Sequence, residues 1–357
     1  MLRTSVKTLK TLIPKWVRDK VPAGIKTYLR PIYLSRTVVI DIISACNLSC
    51  PSCPSGSNRK KSYSGKMGLQ MFRNIIGKIA HEEPGATVAI FNWTEPLLHP
   101  ETDKFLAAIK QHGLKSRLST NLNVLRDADK IADANPDGIT ISLSGFTQGV
   151  YAVGHRGGNI EIVKENMKRL SAALRDRRAL TAVTVYYHKY LHNLHEVELM
   201  KEYSESLGFS FGADWAYYMP VERVQAYIEG TLSYYEREFV DNYLALNIKQ
   251  AVDATLPFRT EPCHLPTTLL TIDCRGEVQL CCSVYDSSRF SIGSYLNTPS
   301  EIIKERLLNH PYCRECMKHG LHIYTSWHGH KIRSLYEEIA HENVREKVFA
   351  RTHRGNI

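Results

Sequence analysis

The segment SACNLSCPSCP, residues 44–54, sets three thiols close together at Cys46, Cys50 and Cys53. A disulfide takes two thiols and a structural zinc ion takes four ligands, so three in one loop ask for other chemistry or for a distant partner. Soft thiolates suit iron–sulfur clusters. If three irons of a four-iron cube are held by thiolates, the fourth stays open to a small molecule. The alternative is a fragment of a zinc site completed from elsewhere in the chain. A second group, Cys263, Cys274, Cys281, Cys282, Cys313 and Cys316, follows a long stretch without cysteine. Short local spacings of this kind point to metal binding or catalysis rather than to a disulfide framework.

The elements that must position the first loop can be read from hydrophobic patterning. Strand-like runs occur at 37–44, 87–93, 115–120, 138–144, 182–188 and 209–215. Helix patterns lie between them at 69–81, 102–112, 126–134, 159–176 and 194–207. Strict alternation predicts parallel βαβ units, and six of them make an α/β fold of open or partial barrel type. In such folds chemistry gathers beyond the C-terminal ends of the strands, which is where the three cysteines fall. After residue 220 the pattern changes to one or two connecting helices. A hairpin then reads out of LLTIDCRGEVQLCC, its turn ending at Gly276, followed by a helix before Cys313 and Cys316.

Composition sets the outer bounds. The 357 residues are 43% hydrophobic and 23% charged, as in a soluble globular protein. No run of about 18 apolar residues is present, and the N-terminus lacks a secretion signal, so a cytoplasmic location is expected. The formal charge of +10 suits anionic partners, although many soluble proteins are simply basic. Residues 1–36 are rich in Lys and Arg, with Asp19 as their one acid. Such an arm can make weak contact with an anionic membrane surface, but Pro14, Pro22 and Pro31 interrupt any long helix.

CxxxCxxC after a first strand resembles the radical S-adenosylmethionine (radical SAM) family. The resemblance implies a [4Fe–4S] cluster on Cys46, Cys50 and Cys53 whose open iron chelates S-adenosyl-L-methionine, and reductive cleavage of that cofactor to a 5′-deoxyadenosyl radical. Further stretches carry the likeness. WTEP, residues 93–96, stands where the family has a glycine–glycine–glutamate–proline turn, so Thr94 and Glu95 are expected at the methionine amino group, with Trp93 and Thr94 replacing the glycines. Ser119 and Asn121, after the third strand, and Ser142, on the fourth, are expected near the ribose. Arg156, in HRGG, is expected to pair with the methionine carboxylate, a role that suits a guanidinium.

The second cysteine group resembles the family's SPASM extension in its shorter, twitch form. The resemblance implies one auxiliary [4Fe–4S] cluster on Cys263, Cys281, Cys313 and Cys316, with structural zinc as the alternative. Cys274 and Cys282 are given no role. The expected organisation is a basic arm (1–36), a partial (β/α)6 TIM-like barrel (37–220), connecting helices (221–262), a small β-hairpin/helix auxiliary-cluster domain (263–320) and a helical tail (321–357). The expected function is oxidation of a carbohydrate-like or other small polar molecule, with the auxiliary cluster as electron acceptor. A flavodoxin or ferredoxin would be the electron donor. The aromatics of 211–227, with Asp214 and Glu222, are expected to line the opening. A SPASM-type enzyme modifying a peptide is the alternative, and a zinc or nucleic-acid-binding protein is the reading from another class.

Overall fold

The computed structural model describes residues 36–57, 64–326 and 330–354. The basic arm, apart from Arg36, lies outside the described residues. Strands and helices alternate as the pattern predicts, except that a short helix the pattern did not give, α4, is added between β4 and α5: β1 (Thr37–Ile40), α1 (Leu69–Glu82), β2 (Thr87–Ala89), α2 (Thr102–Gln111), β3 (Lys115–Thr120), α3 (Ala128–Ala134), β4 (Gly138–Leu143), α4 (Gln148–Gly154), α5 (Ile160–Asp176), β5 (Ala182–Lys189), α6 (Val197–Ser206) and β6 (Ser210–Trp215). Then follow three connecting helices where one or two were expected, α7 (Val221–Ile228), α8 (Tyr234–Tyr243) and α9 (Ile248–Thr255), and after them β7 (Leu269–Ile272), β8 (Glu277–Gln279), β9 (Ser291–Ser294), α10 (Ser300–Asn309), α11 (Pro311–Lys318), α12 (Leu321–Thr325) and α13 (Arg333–Arg354).

The strands form one nine-stranded sheet in the order β6-β5-β4-β3-β2-β1-β7-β8-β9. It does not close on itself. Strands β1 to β6 pair in parallel in sequence order, and β7 pairs in parallel with the free side of β1. The hairpin expected from residue 263 onward therefore continues the barrel's own sheet. Its antiparallel partners are Thr271 with Gln279 and Ile272 with Val278. Gly276 makes the turn at φ +81°, a left-handed value that favours glycine.

The two faces of the sheet differ, as a period of two requires. Val38, Ile40, Val88, Leu118, Ile139, Ile141, Val183, Val185 and Ile272 point into one core. Helix α1 meets it with Phe72, Ile75, Ile76 and Ile79, one stripe at the helical period. Each such burial contributes about 1.5–3 kcal/mol. The alternate residues are polar and more open. On β3, β4 and β5 they include Ser119, Ser142, Tyr186 and His188.

Two strands are shorter than their apolar runs suggest, and one side chain explains both. β1 stops at Ile40 and β2 at Ala89. Beyond them the Asn92 and Trp93 amides donate to the Asp41 carboxylate, at 3.0 and 3.4 Å, instead of to a neighbouring strand. No helix among the described residues is long and apolar enough to cross a membrane.

Glu196 shows how the loop beyond β4 is fixed. Its buried carboxylate accepts from the amides of Phe146 and Thr147 and from the Thr147 hydroxyl. Burial alone would raise its pKa, but these three donors outweigh it and hold it below the ordinary value. Because the folded pKa is depressed, the stabilisation is present above the ordinary carboxylate range and is lost as pH falls through that range. Glu196→Gln should cost about 1–3 kcal/mol at pH 7, and the gap between variant and wild type should narrow at acid pH in urea unfolding. A gap independent of pH would show that the ionised carboxylate is not what holds the loop.

Candidate functional site

The ends of β1 to β5 and the segment after β6 surround a cavity of about 280 Å³. Cys46, Cys50 and Cys53 all line it. The loop that carries them is held from several sides. The Ser49 amide donates to the Arg156 carbonyl at 2.8 Å, the Glu95 amide to Ala45 at 3.0 Å, and Arg223 to the Pro51 carbonyl at 3.1 Å. Gly56 is needed here, because a Cβ would sit 2.4 Å from the Cys50 nitrogen. Asn121 donates through its side chain to Asn47 at 3.0 Å and to the Cys46 sulfur at 3.8 Å. Burial pushes the Cys50 thiol well above its ordinary pKa, and Cys53 and Cys46 add to the rise, while Arg156 pulls the other way.

Five of the six expected cofactor contacts line the same cavity: Thr94, Glu95, Ser119, Asn121 and Ser142. Glu95 is only 2% exposed. Its carboxylate accepts from the Asn121 amide and the Thr120 hydroxyl, both at 2.7 Å, and from the Leu97 amide at 3.0 Å. Burial raises its pKa to about 7 against the pull of these donors. The Thr94 hydroxyl is turned to Asp41 at 2.5 Å, and the Ser119 and Ser142 hydroxyls lie 3.3 Å apart. Arg156 differs. Its side chain is exposed and is not among the cavity's walls, and its carbonyl is what touches the cysteine loop. The neighbouring His155 takes the wall position instead. It is buried, stacked on Tyr151 and bonded to the Ser144 hydroxyl at 2.7 Å. Burial, with His188 nearby, lowers its pKa to about 3.

Of the 211–227 segment, Ala216, Tyr217 and Met219 reach the cavity. Its two carboxylates do not line it. Asp214 pairs with Arg333 at 3.1 Å, and Glu222 accepts from the amides of Tyr285 and Asp286. His188 and Tyr190, at the end of β5, complete this side, with Tyr190 bonded to Ser52 at 2.9 Å. The sequence reading missed Asp41, His155, His188 and Tyr190. Asp41 carried a usable signal, an acid closing a β-branched run.

The second cysteine group is also brought together. Cys263, Cys281, Cys313 and Cys316 line one mostly apolar cavity with Leu265, Leu280, Val284, Tyr312 and His322. Burial raises the pKa of all four thiols, that of Cys263 to about 11. Cys274 and Cys282 are not among its walls; the Cys274 thiol donates to the Gly65 carbonyl at 3.7 Å. Among the described residues, no three His, Cys, Asp or Glu are placed as ligands of a single ion. Among the described residues seven buried polar atoms have no hydrogen-bond partner, and two of them, the Tyr312 hydroxyl and His322 Nδ1, belong to walls of this cavity. Burial holds the His322 pKa below its ordinary value, against the Glu261 carbonyl.

The two cavities adjoin. The Trp93 indole donates to the Val284 carbonyl at 3.0 Å, and its ring meets Tyr285 edge-on. Asp41 sits beneath this contact and carries a prediction. Asp41→Ala should remove the acceptor for Asn92, Trp93 and Thr94, costing about 1–3 kcal/mol. Amide exchange at 92–94 should rise at least about tenfold by mass spectrometry. Unchanged protection there would mean that another group holds the turn.

Residues 40–202 match the Radical SAM superfamily. A probable GTP 3′,8-cyclase from Methanococcus maripaludis is 29% identical over 138 residues, which are 38% of this chain and 45% of the cyclase. The chain thus spans less than half the length of the curated relatives it matches. Among solved structures, native anSMEcpe with bound AdoMet aligns over 88% of this chain and 97% of its own, at 14% identity and a TM-score of 0.51. SuiB from Streptococcus suis bound to S-adenosylmethionine aligns over 82% and 70%, at 12% identity and a TM-score of 0.53. These structural likenesses are of fold, and they match the open α/β sheet to a partial TIM-like barrel. The stretch that matches the Radical SAM superfamily, residues 40–202, runs from the end of β1 to the helix after β5.

Proposed function

We propose that the chain is a radical SAM enzyme that abstracts a hydrogen atom from a carbohydrate-like or other small polar molecule and oxidises it. The observation that carries the reading is the convergence of Cys46, Cys50 and Cys53 with Thr94, Glu95, Ser119, Asn121 and Ser142 on one cavity. Three half-buried thiols from one loop fit a cluster with one iron left open, and a cationic centre would offset the burial that opposes ionisation of Cys50. When bound, that cluster supplies the electron that cleaves S-adenosylmethionine to methionine and the 5′-deoxyadenosyl radical.

The chain's own residues position and exclude. Glu95 and Thr94 would face the methionine end of the cofactor, and Ser119, Asn121 and Ser142 the ribose. Arg156 would reach the methionine carboxylate from the rim, since its side chain is exposed. His188, Tyr190 and Tyr217 offer hydrogen-bonding groups on the remaining wall, where a polar substrate could be oriented. His155, with its low pKa, stays neutral and holds the end of β4 through Ser144. The thiols of Cys263, Cys281, Cys313 and Cys316 line one cavity and would hold a second metal centre, with structural zinc on the same four thiolates as the alternative. When bound there, an auxiliary [4Fe–4S] cluster would accept the electron released by a substrate radical. A flavodoxin or ferredoxin would supply the first electron. Residues 263–320 would then serve as the auxiliary-cluster module and 37–220 as the catalytic core. The cyclase relatives are matched over less than half their length, so their substrate is not carried over.

Anaerobically reconstituted protein should hold about eight irons per chain and release 5′-deoxyadenosine under reduction. Cys46→Ala, Cys50→Ala and Cys53→Ala should each abolish that release. Cys313→Ala should lower iron to about four per chain and leave the first cluster's signal with S-adenosylmethionine intact. Iron-free protein that binds zinc would overturn the assignment. Deuterium appearing in 5′-deoxyadenosine from a labelled sugar or cyclitol would support the small-molecule substrate. Transfer only from a labelled peptide would instead make the chain a peptide-modifying enzyme.

A further inference from the structure

We propose that Asn121 tunes the metal centre of the first cysteine loop: its side-chain amide donates to the Cys46 sulfur and makes that centre easier to reduce. This rests on the reading of Cys46, Cys50 and Cys53 as cluster ligands and concerns the same site.

The turn after β3 settles which end of the amide faces the sulfur. Asn121 is 8% exposed, and its own backbone amide is held by Glu95 at 2.7 Å. One end of its side chain lies 2.9 Å from the Asn123 backbone nitrogen, an Asx turn of the kind asparagine favours. A backbone N–H only donates, so that end is the carbonyl oxygen. The other end is therefore the NH2 group. It lies 3.0 Å from Asn47 Oδ1 and 3.8 Å from Cys46 Sγ. The Asn123 side chain gives the same oxygen a second donor, at 3.1 Å. Asn123 is itself fixed, donating to the Tyr151 hydroxyl at 2.8 Å and accepting from the Asn159 amide at 2.7 Å. Both hydrogens and both lone pairs of Asn121 are thus engaged, and it meets a nucleoside by contact rather than by a free donor.

The hydrogen aimed at Cys46 matters through charge. A neutral thiol accepts weakly, as 3.8 Å reflects, whereas an ionised sulfur accepts strongly. The Leu48 amide approaches the same sulfur, at 3.5 Å. Reduction adds one electron, delivered by the carrier protein, to a centre whose thiolates are already anionic. Donors directed at a ligand sulfur stabilise this more negative state above the oxidised one, so they raise the reduction potential. The half-buried site keeps water from replacing the donor cheaply.

The test is an EPR-monitored redox titration of the full chain carrying Cys313→Ala, reconstituted with iron and sulfide, where the first centre is the one expected to hold a cluster. Asn121→Leu removes the donor without adding charge, and Asn121→Asp keeps the oxygen that Asn123 requires. Asn121→Leu should disfavour reduction about tenfold, or about 59 mV for one electron, and Asn121→Asp by more. In deuterium oxide, pulsed EPR of the reduced centre should show an exchangeable deuteron coupling that both variants lose. Asn47→Ala breaks only the neighbouring tie and should keep both the potential and the coupling. An unchanged potential, a coupling retained in the variants, or an equal shift in Asn47→Ala overturns the proposal. If Asn121→Leu does not fold, the deuteron coupling in Asn121→Asp decides. A chain that takes up no iron with Cys46, Cys50 and Cys53 intact would overturn the reading of the first loop, and this role with it.

Discussion

Glu95 ties three loops at one point. Its carboxylate receives the Thr120 hydroxyl and the Asn121 amide from the end of β3, and the Leu97 amide from its own turn. Its backbone amide donates to Ala45, next to the first cysteine. In a parallel sheet the ends of neighbouring strands lie only about 5 Å apart, but their loops are free to diverge. Here a buried carboxylate with three inward-pointing donors keeps them together. Burial opposes its ionisation and the donors favour it, so the group is poised near neutrality. The apolar core beneath Ile40, Val88 and Leu118 is what makes that burial available.

The second cysteine cavity is built on the same sheet rather than beside it. Because β7 pairs with β1, the hairpin leading to Cys281 is in register with the strand leading to Cys46. Val38 faces Leu270 and Ile40 faces Ile272 across that pairing. The loop after β8 then returns over the first cavity, with Val284 meeting Trp93 and the Ser283 carbonyl receiving the Val221 amide. A shift of the hairpin along β1 would therefore move the walls of both cavities together.

The architecture was legible because strand and helix periods differ and no segment mixes them. Runs such as GITISL, and the Phe72–Ile75–Ile76–Ile79 stripe, announce their type without help from the rest of the chain. Strand ends were less legible. The runs at 37–44 and 87–93 stay apolar past the point where Asp41 captures the amides of Asn92 and Trp93. That capture joins residues distant in sequence, and no local pattern reports it. The cysteine loop and Glu95 were readable because few residue types serve their chemistry. Which of His155 and Arg156 faces inward was not, because adjacent residues on a turn point in different directions and only the packing of Tyr151 decides between them. Asn193 was invisible for the same reason, although its side chain bonds the Ser144 and His188 carbonyls at 2.9 Å and so joins β4 to β5.

Trp93 and Thr94 have a physical account within this chain. A bulky residue in a turn against the first cavity costs space, so its side chain must be directed and held. Thr94 is held by Asp41, and the Trp93 amide by the same carboxylate. The indole is held by Val284 and Tyr285, which belong to the segment just after Cys281. The Trp93 carbonyl accepts from the Ser55 hydroxyl, two residues past Cys53. One side chain and its peptide group thus touch the segment just past Cys53 and the segment just past Cys281 and Cys282. Small residues at 93 and 94 would leave that span without its aromatic partner and its indole donor. The turn's departure from glycine and the presence of a second cysteine cavity are, on this geometry, parts of one construction.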